Sequence, residues 1–351
     1  MQVVSTIVVD KIRQIGVGQG RNSEVFLAND PQLNGMIALK EIPLKDFDNP
    51  GEYFREAQNL YTNKHPYIVP VMYACQDADK IRIVMPHYKN GSVQDILNRG
   101  SLTVRQIIKW SHEFLLGLHH VHSNGDGYVH YDIKPSNLLI QDDGSVMLAD
   151  FGQMRPTDNL GVAQNPPLYP WHFPPEAFRY TGATKQADIY QVGLTLYRMC
   201  NGNNFFDAQK PRDMHELRQK VLDGTFPNRN KFLPHIPRRL KTIIKNALHI
   251  DPSMRYQTTM DLIEDLGQID LTLYDWIYVE LNNVTRWFTK HGNHEYVIEI
   301  LNYGKEYYVE GKTIRLPDRL ERKRSPWCSG PYSTYNKAIN AVLRVFRELE
   351  G

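Results

Sequence analysis

The chain contains the sequence His130-Tyr131-Asp132-Ile133-Lys134-Pro135-Ser136-Asn137 and, thirteen residues after its asparagine, the sequence Asp150-Phe151-Gly152. These two stretches place two carboxylates, a lysine and an amide on neighbouring turns. A carboxylate can accept the proton of a hydroxyl group, and an amide oxygen with a second carboxylate provides the ligands that Mg²⁺ prefers. A His-x-Asp triplet alone is usually part of a polar loop, but the lysine, asparagine and second aspartate seldom follow it at these offsets. The spacing therefore predicts a reaction site that holds magnesium.

The composition is that of an ordinary folded protein. The 351 residues are enough for two domains, and the net charge of +2 gives no overall attraction to nucleic acid or membranes. Three distant cysteines without a Cys-x-x-Cys motif indicate neither a disulfide framework nor a zinc site. The N-terminus has no signal-peptide pattern, and no apolar run reaches the roughly eighteen residues that a membrane span requires. We therefore expect a cytoplasmic protein that does not enter a membrane.

The first quarter of the chain has the pattern of a small sheet with one helix. Residues 5–42 alternate polar and apolar side chains and predict three antiparallel strands, and residues 69–74 and 80–85 predict two more. Residues 52–61 have helical spacing. Further helices are predicted over residues 92–98, 103–122, 185–202, 213–223, 237–250 and 258–269. A five-stranded front followed by a mostly helical body predicts two lobes with a ligand cleft between them.

From about residue 271 the pattern changes again. Alternating segments at 276–281, 295–301 and 307–316 predict strands, and residues 335–349 predict an amphipathic helix. These elements predict a second, small α+β unit, in which no motif indicates a family.

The motif around Asp132 resembles the catalytic and metal-binding loops of eukaryotic-type protein kinases, and its Asp-x-Lys-Pro-x-Asn form is similar to the serine/threonine kinases. The resemblance covers about residues 10–268 and implies an α+β, bilobal protein-kinase fold. Its parts would be a five-stranded N-lobe with one helix (about 10–85), a hinge (86–91) and a mainly helical C-lobe (92–268). Residues 1–9 would be an N-terminal extension and residues 271–351 a small α+β accessory domain.

The resemblance also implies the chemistry, which is transfer of the γ-phosphoryl group of Mg-ATP to protein hydroxyls. Asp132 would be the base that orients the substrate hydroxyl and takes its proton. Lys134 would neutralise charge on the transferred phosphoryl group. Asn137 and Asp150 would hold Mg²⁺ through oxygen ligands.

The nucleotide-binding residues begin with Gly18-Gln19-Gly20-Arg21-Asn22-Ser23-Glu24-Val25, which lies between two predicted strands. A dinucleotide-binding fold would place such glycines between a strand and a helix, so this alternative is disfavoured. Glycines at a hairpin tip let backbone N–H groups close over phosphates, and Ser23 stands where the kinase pattern has a third glycine. The resemblance implies that the ATP site includes Val17, Gly18, Gly20, Ser23, Val25, Ala38, Lys40, Glu56, Met85, Pro86 and Tyr88.

Two of these residues would form an ion pair. Lys40 matches the family's lysine on the α- and β-phosphates, and Glu56 matches the helix glutamate that pairs with that lysine. Glu52 lies one helical turn earlier, but its spacing does not fit. In the hinge, two main-chain groups would meet the adenine edge beside a gatekeeper side chain: the Pro86 carbonyl, the Tyr88 N–H and Met85.

Three further residues match structural positions of the family. Glu176 ends the sequence Phe173-Pro174-Pro175-Glu176, which stands where the family carries Ala-Pro-Glu. Asp188 matches the anchoring aspartate of the central buried helix. Arg255 is expected to pair with Glu176. Their order along the chain makes the resemblance specific.

Two departures from the family pattern concern the activation segment. Tyr131 replaces the arginine that usually precedes the catalytic aspartate, and Tyr169 stands where a threonine usually touches the catalytic aspartate and lysine. Within residues 153–170, only Thr157 and Tyr169 carry hydroxyls. Without the arginine, a phosphorylated loop would lose its main counter-charge. We therefore expect activity that does not need phosphorylation of this segment.

Three functions remain open. A serine/threonine protein kinase is favoured over a pseudokinase-like ATP-binding scaffold, because the five residues that phosphoryl transfer needs are all present. They are Lys40, Glu56, Asp132, Asn137 and Asp150. A small-molecule phosphotransferase is opposed by the peptide-docking elements Glu176 and Arg255. The expected partners are a protein substrate and a partner protein bound by residues 271–351. The basic cluster Arg319, Arg322, Lys323 and Arg324 could bind nucleic acid, but such a cluster is more often a solvated loop.

Overall fold

The N-lobe is a five-stranded antiparallel sheet with one helix. The computed structural model describes residues 7–16, 23–47, 50–125, 127–167, 169–270 and 275–350. Its first five strands have the spatial order β1-β2-β3-β5-β4. Their bounds are β1 Asp10–Ile15, β2 Glu24–Asp30, β3 Gly35–Pro43, β4 Tyr73–Gln76 and β5 Lys80–Pro86, and helix α1 is Arg55–Thr62. The predicted five strands and single helix are confirmed.

Two elements of the N-lobe start at least three residues later than the sequence predicts. Helix α1 starts at Arg55, not at residue 52, because Pro50–Glu52 forms a 3-10 turn. Strand β4 starts at Tyr73, not at residue 69. The reason is that the Val69 N–H donates to the Leu148 carbonyl at 2.9 Å, and Leu148 belongs to the C-lobe. The segment before β4 therefore joins the two lobes.

The C-lobe is built around two long helices. Its helices are α2 Val93–Arg99, α3 Val104–Ser123, α4 Gln186–Asn201, α5 Asn203–Asp207, α6 Met214–Leu222, α7 Arg238–Ala247 and α8 Thr259–Gly267. Capping boxes at Ser92, Thr103 and Thr258 explain where α2, α3 and α8 begin. Helix α4 is buried along nearly its whole length, so it serves as the central support of this lobe. Within the described ranges, no helix has both the length and the apolar character that would let it cross a membrane.

Short two-stranded ribbons hold the loops between α3 and α4. They are formed by β6 Tyr128–Val129 with β9 Arg155–Pro156, β7 Leu138–Ile140 with β8 Val146–Leu148, and β10 Ala163–Gln164 with β11 Gly182–Ala183. The sequence analysis did not predict these strands, since two or three residues are too few for a periodic pattern. The ribbons fix the ends of the loops that carry Asp132 and Asp150.

The last part of the chain is a sheet covered by one helix. Its strands are β12 Ile277–Leu281, β13 Val284–His291, β14 His294–Asn302, β15 Tyr307–Arg315, β16 Leu320–Lys323 and β17 Ser329–Tyr332, and helix α9 is Tyr335–Glu350. The apolar face of α9 and the sheet residues Trp287, Ile298 and Val309 form a core of their own. The α+β prediction is confirmed, although β13, β16 and β17 were not predicted.

This sheet contacts the C-lobe through its first strand. The Ser101 hydroxyl donates to the Tyr278 carbonyl at 2.7 Å and accepts the Tyr278 N–H at 3.2 Å. His235, which is buried, lies between the rings of Tyr278 and Phe346, with centroids 6.4 and 6.3 Å away. Burial lowers the pKa of His235 to about 3, so this histidine is neutral. The contact joins the two units through hydrogen bonds and stacked rings.

Candidate active site

The Asp132 carboxylate is the centre of the site. The Lys134 ammonium donates to its Oδ2 at 2.8 Å, and the Asn137 amide nitrogen donates to the same oxygen at 2.8 Å. The 3-10 turn Pro135–Asn137 brings Asn137 back to this oxygen, and all three side chains are buried. Because the Asn137 amide nitrogen is used as a donor here, its amide oxygen remains a candidate metal ligand.

Helix α4 holds the backbone of the Asp132 loop through side-chain hydrogen bonds. The Asp188 carboxylate accepts the N–H groups of His130 and Tyr131, both at 2.7 Å. Gln191 accepts the Ile133 N–H at 2.9 Å and donates to the Tyr131 carbonyl at 2.8 Å. Tyr131 has a φ of 65°, a conformation that costs free energy in a residue with a side chain. These four bonds hold Tyr131 in that conformation.

A pattern in the sequence of α4 points to Gln191. Asp188 and Gln191 lie three residues apart on α4, and Thr195 follows four residues later. Polar residues at this spacing share one face of an otherwise apolar helix. Of these three residues, only Asp188 has a role predicted from the sequence; Gln191 and Thr195 have none. The structure brings the face that they share against the catalytic loop, where the Thr195 hydroxyl donates to the Ile133 carbonyl at 3.3 Å.

A second charged group links the lobes. The Lys40 ammonium on β3 donates to both oxygens of Glu56 on α1, at 2.7 and 2.9 Å. It also donates to Asp150 Oδ1 at 2.9 Å. Glu52 instead pairs with Arg55 at 2.9 Å. A Cβ on Gly152 would lie 3.1 Å from Glu56 Oε2, so glycine lets the Asp150 loop approach the helix closely.

Burial and neighbouring charges shift the pKa values of these three groups in different directions. Burial alone would lower the pKa of Lys40, but Asp150 and Glu56 outweigh it and raise that pKa, so the ammonium keeps its charge. Burial alone would raise the pKa of Asp150, but Lys40 and Lys134 hold it well below its usual range. Burial raises the pKa of Glu56 against the attraction of Lys40. Asp150 is therefore held in its anionic form.

Asp132 has the opposite electrostatic behaviour. Burial raises its pKa in spite of the nearby Lys134 ammonium. A raised pKa makes a carboxylate a stronger proton acceptor, which suits a general base. The neighbouring His130 is fully buried, and burial lowers its pKa to about 4, so it is neutral. Its ring contacts Phe151 edge-on at 4.8 Å and thereby connects the two motifs.

An apolar face of the N-lobe sheet lies beside these charges. In the register of β2, β3 and β5, Val25 pairs with Lys40 and Ala38 pairs with Met85, so these side chains point to the face that carries the ammonium. Pro86 ends β5, and Tyr88 follows it. Met85 and Tyr88 pack with Val69, Leu139, Met147 and Ala149. Ser23 immediately precedes β2, whereas Val17, Gly18 and Gly20 lie outside the described residues.

The Glu176–Arg255 pair lies within the C-lobe. Arg255 donates two hydrogen bonds to the two oxygens of Glu176, both at 2.7 Å, and is almost fully buried. Its guanidinium also bonds the carbonyls of Gln186, His249 and Ile250. Such a bidentate pair is rigid because its geometry is fixed in a plane. It anchors the end of the segment that follows Asp150.

The donor set fits a magnesium ion with a phosphate ligand. Asn137 and Asp150 offer an amide oxygen and an anionic carboxylate, which are the hard ligands that Mg²⁺ prefers. In the described part of the chain, no three His, Cys, Asp or Glu side chains form a cluster that could hold a metal. Mg²⁺ usually takes one or two carboxylates and completes its shell with phosphate and water. The residues present therefore fit a metal that arrives with a nucleotide.

Comparison with known proteins agrees with this geometry. The family model of the protein kinase domain matches residues 11–265. The chain is 29% identical over 257 residues to the serine/threonine-protein kinase PrkC of Bacillus subtilis. The aligned region covers 71% of this chain and 39% of the relative. It is 29% identical over 265 residues to the serine/threonine-protein kinase PknB of Mycobacterium leprae, covering 72% and 42%. The chain thus spans about two fifths of the length of these relatives.

The charged group around Lys40 makes a prediction for stability. Lys40→Met leaves Glu56 and Asp150 facing each other without their cation, so the free energy of unfolding should fall by about 3 kcal/mol. The double variant Lys40→Met/Glu56→Leu removes one of the two uncompensated carboxylates and should recover at least half of that loss. Urea unfolding followed by circular dichroism measures both. Lys89→Met, which breaks the exposed pair with Asp142, is the control and should cost less than about 0.5 kcal/mol.

Proposed function

Because this chain belongs to the protein kinase family, we propose that it is an ATP-dependent serine/threonine protein kinase that transfers the γ-phosphoryl group of Mg-ATP to protein hydroxyls. The observation that carries the proposal is the pair of contacts that join Lys40 to Glu56 and Asp150. A pseudokinase-like scaffold would need neither this ion pair nor the buried Asp132–Lys134 pair. The three free cysteines fit a reducing compartment, and we propose that the kinase acts in the cytoplasm.

The proposed mechanism uses the two carboxylates for different tasks. Asp132, whose pKa is raised by burial, orients the substrate hydroxyl and takes its proton. Lys134 is already paired with Asp132 and stabilises the charge that develops on the transferred group. Asp150, held anionic by Lys40 and Lys134, would hold the metal together with the Asn137 amide oxygen. When bound, the magnesium ion supplies positive charge to the phosphate oxygens.

The nucleotide would lie between the lobes. Lys40 holds its α- and β-phosphates, and the apolar side chains Val25, Ala38 and Met85 enclose the adenine. The Pro86 carbonyl and the Tyr88 N–H meet the adenine edge. Pro86 suits the first position because only its carbonyl is used. The proposed phosphate contacts also include Ser23 and, outside the described residues, Val17, Gly18 and Gly20, and Glu56 positions Lys40.

Loss of the metal ligand tests this function. The wild-type chain, incubated with γ-labelled ATP, Mg²⁺ and a mixed protein substrate, should label serine and threonine. Asp150→Asn should keep less than a tenth of the wild-type kcat, a difference of more than about 1.4 kcal/mol in activation free energy, because a charged metal ligand is lost. Circular dichroism should be unchanged, since Lys40 keeps Glu56. Asp142→Asn, an exposed acid, is the control.

Other outcomes of the same assay separate the alternatives. No turnover by the wild-type chain would contradict the kinase proposal and favour the scaffold. Label only on small metabolites would favour a small-molecule phosphotransferase. An Asp150→Asn variant with more than a tenth of wild-type kcat would contradict the assigned role of Asp150.

We also propose that the activation segment is ordered without phosphorylation. The buried Tyr131 hydroxyl donates to the Ala163 carbonyl at 2.7 Å and accepts the Ala183 N–H at 3.3 Å, and these residues form the β10–β11 ribbon. Thr157 is buried, and its hydroxyl donates to the Gly127 carbonyl at 3.2 Å. A phosphate on Thr157 would need room and counter-charge that a tyrosine at position 131 does not offer. The hydroxyl of Tyr131 thus replaces an ion pair.

Phosphorylation independence has two measurable consequences. Phosphatase treatment and Thr157→Ala should each leave turnover within about threefold of wild type. Tyr131→Phe should lower turnover about fivefold, because the hydrogen bonds that hold the β10–β11 ribbon are lost. Steady-state assays before and after phosphatase measure both. A large drop after phosphatase would contradict the proposal and point to Arg155 as a counter-charge for a phosphate.

For residues 271–351 we propose a module that recruits the substrate or a partner protein and is not part of the catalytic core (residues 10–268). Its separate core and its contacts through Tyr278 and His235 support a docked unit with its own fold. Its basic residues are partly paired within the module, as Lys312 is with Glu321 at 3.2 Å, which disfavours nucleic acid as the main partner. The module therefore fits a protein partner better.

Truncation after Asp270 tests the module. The shortened chain should stay folded and phosphorylate generic serine and threonine peptides, but it should lose selectivity, because nothing then recruits the natural substrate. The measurement compares the proteins labelled in a cell lysate by the full chain and by the truncated chain. An insoluble or inactive truncation would instead show that the module is integral to the catalytic unit. Salt-sensitive binding of DNA or RNA by the full chain but not by the truncated chain would favour the nucleic-acid alternative.

A further inference from the structure

An aromatic ring lies over the catalytic lysine. The Lys134 ammonium is 5.0 Å from the centroid of the Tyr169 ring, and the same ammonium donates to Asp132 at 2.8 Å. Lys134 is largely buried, and a cation–π contact is stronger where the cation is desolvated. The ammonium lies over the plane of the Tyr169 ring. The contact therefore involves the face of the ring.

The position of Tyr169 is fixed by a chain of contacts that begins on α4. The ring of Tyr169 lies 5.7 Å from that of His172. His172 is fully buried; its Nδ1 donates to the Ile133 carbonyl at 2.8 Å, and its Nε2 accepts a hydrogen bond from Arg198 at 3.1 Å. A carbonyl can only accept, so the proton of His172 is on Nδ1. A guanidinium can only donate, so Nε2 carries no proton and the ring is neutral. Burial, assisted by Arg198, lowers the pKa of His172 far below its usual range, which keeps it neutral.

We propose that Tyr169 is a positioning residue for phosphoryl transfer, which acts through the Lys134 ammonium and rests on the kinase function proposed above. Lys134 has a flexible side chain, and its salt bridge to Asp132 restrains the ammonium from one direction only. The ring face adds a second, orienting contact. It keeps the ammonium beside Asp132, where the ammonium can neutralise the negative charge of the transferred phosphoryl group. The ring carries this role, and the phenolic hydroxyl does not.

Three variants test the proposal through steady-state kinetics with ATP and a degenerate serine/threonine peptide library. Tyr169→Leu keeps an apolar side chain but has no ring face, so kcat should fall about 5- to 30-fold while KM for ATP stays within about twofold. Tyr169→Phe keeps the ring and should retain wild-type kcat within about twofold. Tyr180→Ala is the control, because Tyr180 lies on the same segment and is 66% exposed.

The kinetic outcomes separate the proposal from its alternatives. If Tyr169→Phe loses as much kcat as Tyr169→Leu, the hydroxyl acts and the proposal is wrong. If Tyr169→Leu changes only KM for the peptide, Tyr169 contacts the substrate and does not position Lys134. A wild-type kcat in Tyr169→Leu would also overturn the proposal.

A readout without catalysis separates this inference from the kinase function. The ε-methylene protons of a lysine above an aromatic face shift upfield in NMR spectra, and Lys134→Arg identifies the signal. The shift should be present in the wild type and in Tyr169→Phe and absent in Tyr169→Leu. A wild-type protein with this shift but no transfer activity would refute the kinase function alone. A wild-type protein that is active but lacks the shift would refute the positioning contact alone.

Discussion

The Lys40 ammonium is the group on which the rest of the site depends. It joins strand β3 and helix α1 of the N-lobe to the Asp150 loop of the C-lobe through contacts of 2.7–2.9 Å. Any movement of α1 or of the loop would leave a carboxylate without its cation. Because an uncompensated buried charge is costly, this single group resists displacement of three elements at once. The same arrangement keeps Asp150 anionic, which the proposed metal site requires.

Helix α4 supplies the complementary constraint from the other lobe. One face of it carries Asp188, Gln191 and Thr195 to the backbone of the Asp132 loop, and Arg198 lies further along the same helix. A nearly fully buried helix moves little, so side chains fixed to it are held in place by the core. The Asp132 loop is thus positioned by the C-lobe, whereas Lys40 is positioned by the N-lobe. The proposed reaction takes place where these two rigid frames meet.

The sequence was informative where chemistry is encoded locally. The spacing of Asp132, Asn137 and Asp150 could be read from the chain, and the structure brings these residues together. Longer-range contacts could not be read. The Tyr131 hydroxyl reaches Ala163 and Ala183, which are 32 and 52 residues away, and no periodic pattern reports such a contact. Strand β4 begins later than predicted because Val69 forms its backbone hydrogen bond with Leu148 of the C-lobe and not with a strand of the N-lobe sheet. Strands β16 and β17 are four residues each, too short for a pattern.

The most direct test of the central claim is a crystal structure of the chain with a non-hydrolysable ATP analogue and Mn²⁺ in place of Mg²⁺, recorded at the manganese absorption edge. The account predicts an anomalous peak within coordination distance of the Asn137 amide oxygen and the Asp150 carboxylate. It also predicts that the Lys40 ammonium keeps Glu56 and exchanges Asp150 for a phosphate oxygen. A peak away from both side chains, or a bound nucleotide with Lys40 separated from Glu56, would contradict the account.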